Sequence, residues 1–324
     1  MAQKNDAANL KEATLRNEKG NKLDESGEYD KALKEYGEAV KLDPDNALYY
    51  YNKAVMLTNL KNYDEALEAY DKAIALDPND DSYYFGKGIM LNNLGKFIES
   101  IKEYDKAIKL NSGNAAYYNA KGVVLAILED YEESIEEYDK AIELDPETSQ
   151  FYFNKADALI YLKEYKEALG NINKAIELDP LNFEYHNLKE YILKDLTGDY
   201  DEALEENEIM ADLEPENPWN HYDRGNIFAG LGKFEESIEE YDKAIELDPD
   251  IAEFYDIKGV ILSLMNMFEE SIKNLDKAIE LEPENQNYRN HREGVSYDLM
   301  ESKKRTVKSV TGGAVFFETK LTKN

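Results

Sequence analysis

Three histidines, one Gly-Leu-Gly-Lys run and several acidic clusters are the residues whose types could do chemistry, and their spacing argues against it in each case. His186, His221 and His291 stand far apart, with no second ligand at i+3 or i+4, where one helix face would offer two donors to a metal. Gly230-Leu231-Gly232-Lys233 lacks the upstream Gly and the following Ser or Thr of a phosphate cradle. Asp43-Pro44-Asp45 opens like a calcium loop, but Leu48 and Ala54 occupy the positions that need Gly and Glu. Paired acids such as Glu136-Glu137 recur along the chain, with partners such as Lys140 one turn on, as a solvated helix face would. The chain has no Cys, which removes thiolate nucleophiles, thiolate metal sites and disulfides. The expectation is therefore no catalytic residue, no metal site and no cofactor: not an enzyme.

Charge narrows the partners. The 324 residues carry 38 basic and 69 acidic side chains, a formal net charge of −31. Such a body repels nucleic-acid phosphates and anionic membranes and attracts basic peptides or protein surfaces. No nucleic acid and no membrane are expected among its partners. A hydrophobic fraction of 42%, with 25 Tyr and 11 Phe, supplies a sizeable core. Residues 1–10, MAQKNDAANL, contain no apolar stretch of the kind that directs secretion, and runs such as 123–128 are too short to span a bilayer. A soluble, cytoplasmic protein is the default expectation.

The elements announce themselves by repetition. Leu-Asp/Glu-Pro recurs at Pro44, Pro78, Pro146, Pro180, Pro215, Pro249 and Pro283, with Ser112 in the one degenerate copy; the steps are 34 residues except for one of 35. Within 115–148, Tyr118, Lys121, Gly122 and Leu125 form one helical stripe, and Tyr131, Ser134, Ile135, Tyr138, Ala141 and Ile142 form a second. Glu129-Asp130 connects them where other repeats place Gly27, Gly95, Gly198 or Gly232, suited to a left-handed helix end. Asn46, Asp80, Asn114, Thr148, Asn182, Asn217 and Asn285 stand where the next helix needs an N-cap. Small residues fill three columns: Gly20 to Gly259 on the first helix, then Ala32 to Ser271 and Ala39 to Ala278 on the second, so that the two helices can approach closely. Fifteen of the tyrosines lie at only three repeat positions, which reads as core.

This pattern, Tyr118-x2-Lys121-Gly122-x2-Leu125 followed by Ser134-x3-Tyr138, Ala141 and Pro146, resembles the tetratricopeptide repeat (TPR) family. The resemblance runs through eight units over residues 13–285. It implies an all-α, right-handed superhelical solenoid of antiparallel helix hairpins, in which the first helices line a concave groove. It also implies a non-enzymatic scaffold for protein-protein interaction. Residues 18–36, EKGNKLDESGEYDKALKEY, look like the opening of the subgroup that clamps a chaperone C-terminal carboxylate. Asn21 and Asn52 match its asparagines, while Asn17, Ser82 and Gly86 stand at its cation positions, so the charge-assisted bonds of such a clamp are missing.

Transferred onto this chain, the groove positions are Asn17, Asn21, Tyr51, Asn52, Val55, Phe85, Ile89, Asn119, Val123, Phe153, Asn154 and Asp157, then Tyr222, Asp223 and Asn226. They suggest apolar pockets with amides to hold an extended or helical peptide. Val55, Ile89 and Val123 fit packing between adjacent first helices equally well, and Trp219 fits a plug at the irregular junction slightly better than an anchor. Repeat 6, residues 183–217, breaks the pattern with one extra residue, Glu190 or Tyr191 at the small position, Asn207 for the core Tyr and Met210 for Ala. A bulky residue there should spread the helices or shift their register. Residues 1–12 read as an N-terminal extension, 286–303 as a capping helix and 304–324 as a basic tail with a possible β-hairpin around Thr311-Gly312-Gly313. Residues 303–324 carry a net +5, which leaves −36 on residues 1–302. Self-association of the tail with the acidic groove of its own or a neighbouring chain is the alternative function.

Overall fold

The computed structural model describes the backbone of residues 2–321 and the side chains of residues 7–304. Two compact units divide the chain, Met1–Asp179 and Pro180–Asn324. The first holds five hairpins: α1 (Ala2–Glu25) with α2 (Tyr29–Leu42), α3 (Ala47–Asn59) with α4 (Tyr63–Leu76), α5 (Asp81–Asn93) with α6 (Phe97–Leu110), α7 (Ala115–Ile127) with α8 (Tyr131–Leu144), and α9 (Ser149–Tyr161) with α10 (Tyr165–Leu178). The second holds α11 (Phe183–Tyr191), extended by a π-helical turn (Ile192–Thr197), with α12 (Tyr200–Leu213). It continues with α13 (Pro218–Gly230) and α14 (Phe234–Leu247), α15 (Ala252–Leu264) and α16 (Phe268–Leu281), and α17 (Gln286–Leu321). No strand occurs among the described residues, so the all-α expectation holds.

Four hairpins close because glycine on the first helix lets a tyrosine ring of the second lie against backbone. A Cβ added at Gly20, Gly88 or Gly225 would stand 2.5 Å from a ring carbon of Tyr36, Tyr104 or Tyr241, and one at Gly122 would stand 2.7 Å from Tyr138. Those four rings are fully or almost fully buried, each burial stabilising by roughly 1.5–3 kcal/mol. Buried serines tie the same helices together: Ser100 and Ser134 Oγ donate to the carbonyls of Gly88 and Gly122 at 2.8 Å. All eight turns carry a left-handed residue. Gly27, Gly95, Gly198 and Gly232 take it freely, whereas Lys61, Glu129, Lys163 and Asn266 take it with φ of 61–65°. Asn46, Asp80, Asn114, Asn182, Asn217 and Asn285 cap as expected, each accepting from the backbone two residues on. Thr148 does not; its hydroxyl donates to Asp145 Oδ2 at 2.6 Å instead.

The irregular repeat resolves its extra residue as the π-helical turn, so the register shifts at the end of α11, the second of the two outcomes expected there. The bulky residue is accommodated by exchange: Glu190 takes the small position and Asn207 the place of the ring. Both are buried, Glu190 to 1% exposure. At the termini, α1 runs unbroken through the expected extension, and α17 runs from the expected cap to Leu321. The hairpin suggested by alternation in the tail is not formed; its backbone is helical, as suits a segment too short to stand as an isolated hairpin in water. Side chains of the basic tail beyond residue 304 lie outside the described residues.

Candidate functional site

Consecutive first helices of the first unit, α3, α5, α7 and α9, lie side by side and share one face. The groove residues expected there divide into three kinds. Tyr51 packs its ring against Tyr70 and Tyr83 (centroids 6.1 and 5.1 Å), and Phe85 against Tyr104 and Tyr117 (5.7 and 4.6 Å). Val55 packs against the neighbouring core. These three join one repeat to the next. A second kind is committed to internal hydrogen bonds. Asn52 Nδ2 donates to the buried Asn17 at 2.8 Å, and Asn21 accepts from Tyr36 at 2.8 Å. Asn154 Nδ2 donates to Asn119 Oδ1 at 2.8 Å, which leaves the Asn119 NH2 without a protein acceptor among the described residues. Phe153 is half-buried and engaged with a neighbour. The third kind is open: Ile89 is exposed. Val123, Asn154 and Asp157 line a cleft of about 310 Å³.

That cleft is completed by residues that the sequence did not assign to the groove: Ala126, Ile127, Tyr131, Tyr138 and Tyr161. Tyr131 and Tyr161 stack with centroids 4.6 Å apart and ring planes 3° from parallel. Ile127 and Tyr161 remain 49% and 60% exposed. Burial pushes the Tyr138 phenol at the cleft up to about 12, so it is neutral and a donor at physiological pH.

The chaperone-type clamp has no room here as well as no charge. A Cβ on Gly86, at one of its cation positions, would stand 2.9 Å from the Tyr70 ring and 3.0 Å from Tyr51.

In the second unit, Tyr222 sits among Trp219, Tyr241 and Phe254 and donates to Glu253 Oε1 at 2.7 Å. Asn226 accepts from Tyr241 at 2.8 Å. Trp219 packs edge-on against Phe254 and Tyr222, towards α15, and keeps 40% of its surface open. Asp223 is bound by Lys194 at 2.5 Å, and Lys194 also lies 3.2 Å from Glu190. Burial first, and the Asp223 charge second, raise the Glu190 carboxyl to about 7 despite Lys194.

Each histidine meets an acid: His186 lies 2.7 Å from Glu206, His221 2.7 Å from Glu240 and His291 2.9 Å from Asp256. No group of three metal-ligating side chains occurs among the described residues. A further set of contacts was visible in the sequence only as a spacing of 16. Lys87, Lys121 and Lys155 reach back to Asp71, Asp105 and Asp139 on the preceding hairpin at 2.6–2.7 Å. A wider cleft of about 860 Å³ in the second unit, lined by α14, α15 and α16, holds two cations already matched by acids, Lys258 with Asp242 and Lys277 with Glu280 at 3.0 Å, beside Lys273.

Family models described as tetratricopeptide repeat match residues 17–81, 69–102, 149–182 and 252–285, and one described as TPR repeat matches 124–159 and 225–265. Over 44 residues the chain is 43% identical to the Hsp70-Hsp90 organising protein of Plasmodium falciparum. Over 42 residues it is 50% identical to stress-induced-phosphoprotein 1 of Caenorhabditis elegans. These stretches are 14% and 13% of this chain and span only 8% and 13% of those proteins. Among solved structures, YrrB, described as a TPR protein with an unusual peptide-binding site, aligns at 27% identity and a TM-score of 0.50 over 56% of this chain and 93% of its own. The C-terminal part of a TPR repeat-containing protein from Cytophaga hutchinsonii aligns at 16% identity and a TM-score of 0.66, over 74% of this chain and 98% of that one, which shows the shared fold. No described helix is long and apolar enough to cross a membrane.

Proposed function

Because the chain belongs to the tetratricopeptide repeat family, we propose that it is a non-enzymatic interaction scaffold whose first-helix face takes up a peptide of basic and apolar character. The observation that carries this reading is the open part of that face in Met1–Asp179. Leu48, Ile89, Ile127 and Tyr161 are exposed on its first helices, and Asn119 on α7 keeps its NH2 unpaired among the described residues, on a body of strong negative charge. Apolar side chains set among amides hold an extended chain by its side groups and its backbone together. The negative field raises the local concentration of a basic ligand. The peptide-binding site in the description of YrrB agrees with a peptide ligand.

The test is calorimetric titration of a peptide with the sequence of residues 303–324 into residues 1–302 at two salt concentrations. Saturable binding that weakens at higher salt is expected; no heat at either concentration rejects this reading for basic peptides. The +5 charge of that same segment favours a second reading, docking of the tail on its own or a neighbouring chain. Light scattering with and without residues 303–324 then shows a change of mass if neighbouring chains are joined, and a monomer in both cases counts against that assembly.

A further inference from the structure

One position on the open face breaks its own pattern. Counting from the start of each first helix, the ninth residue is Val55 in α3, Ile89 in α5 and Val123 in α7, and it is Asp157 in α9. The fold thus accepts an apolar residue at this position three times in the same unit and carries an acid the fourth time. Asp157 has no structural partner to explain it. It accepts no hydrogen bond and meets no cation among the described residues, whereas Glu137 and Asp139 on α8 are paired, Glu137 with Lys121 and Lys140 and Asp139 with Lys155. Its carboxyl is open to solvent at the mouth of the cleft. The surrounding walls still desolvate it enough to raise its pKa above the usual carboxylate range, as happens when no positive charge stands near.

What surrounds the acid selects its ligand. Val123, Ala126 and Ile127 form an apolar wall from α7, and the stacked Tyr131–Tyr161 pair forms a flat aromatic wall across the cleft. An aliphatic stem ending in a planar cation matches these surfaces in turn: methylenes along Val123 and Ile127, the flat head against Tyr161, and two N–H groups on the carboxylate. A guanidinium does this better than an ammonium, because it stacks on aromatic faces and meets a carboxylate through two parallel hydrogen bonds. At about 310 Å³ the cleft stands at the small end of ligand pockets, a size for one long side chain.

We infer that the cleft between α7 and α9 is a receptor pocket for a single arginine side chain of a peptide partner, with Asp157 as its anion, the Tyr131–Tyr161 stack as its platform and Val123 and Ile127 as the rest for its stem. The inference deepens the proposed function and rests on the same face. It names which side chain of a basic peptide is read, and where.

The test uses the full chain with methyl-labelled Ile and Val, titrated with N-acetyl-arginine amide and, separately, with the neutral isostere N-acetyl-citrulline amide. The Ile127 and Val123 methyl resonances are expected to move saturably with the arginine probe and at least tenfold more weakly with citrulline. Asp157→Asn is expected to abolish the difference between the probes. Asp157→Val, which restores the residue type of α3, α5 and α7, is expected to lose the arginine response while raising Tm by roughly 1–3 °C. Equal responses to the two probes, or an arginine response unchanged in Asp157→Asn, would overturn the pocket. So would a fall in Tm for Asp157→Val, since it would give the acid a structural reason to be there. If the peptide of residues 303–324 binds but the two amides are not distinguished, the groove reading stands and the pocket falls. Discrimination of the amides without peptide binding gives the reverse.

Discussion

At the scale of single residues, Glu190 has the most to say about stability. It fills a position that is glycine or alanine elsewhere in the array and is 1% exposed, with both carboxylate oxygens short of well-aligned hydrogen bonds. Its pKa rises from 4.5 to about 7, first through burial and then through the Asp223 charge. The folded chain therefore binds this proton more tightly than the unfolded one. The stability contributed by the neutral form is complete below the unfolded pKa and is lost as pH rises through about 7. Glu190→Gln should make the protein more stable than wild type at pH 8, by on the order of 2 kcal/mol, and the two should converge towards pH 5. Thermal melts across that range check this. A variant whose melting runs parallel to wild type at every pH would show that Glu190 does not titrate in this window.

At the scale of elements, the helical hairpin was almost wholly legible. A 34-residue step, a glycine against a tyrosine 16 residues later and an asparagine ahead of most first helices are local signals, and local physics decides them. The left-handed turn residues carry a cost that the sequence conceals when glycine is absent. Glu129 holds φ at 65° in the turn between α7 and α8. Glu129→Gly should stabilise by roughly 0.5–1 kcal/mol, the relief of the left-handed strain less the extra freedom glycine gives the unfolded chain. Urea unfolding of the two proteins measures it, and a loss of stability would mean that the side chain supports the turn in some other way. The binding face was less legible, for a physical reason. Repeat position places Tyr51, Phe85 and Asp157 on one side of their helices alike, but the depth of the neighbouring hairpin decides whether a ring closes a joint, as at Tyr51, or an acid stays open, as at Asp157. The extra residue of repeat 6 was countable, but a count does not say which backbone form absorbs it; the chain takes it up as a π-helical turn at 192–197.

At the scale of the whole molecule, each unit is an array in which a hairpin leans mainly on its neighbours, so damage should spread only a short way. Gly122→Leu would drive a side chain into Tyr138, where even a Cβ would stand 2.7 Å from the ring, and should cost roughly 2–3 kcal/mol. Amide hydrogen exchange should then accelerate most in α7 and α8, less in α5, α6, α9 and α10, and least in α13 to α16. A uniform acceleration over all helices would show that the chain unfolds as one cooperative body instead.

The same glycine contact has a consequence for motion. A tyrosine ring turns over about its axis only if its surroundings briefly withdraw, and at Tyr36, Tyr104, Tyr138 and Tyr241 one wall is a glycine backbone belonging to the facing helix. No side chain there can swing aside, so the helix itself must breathe. These four rings become slow internal clocks for the separation of the two helices in their hairpins, with the two edges of each ring held magnetically distinct.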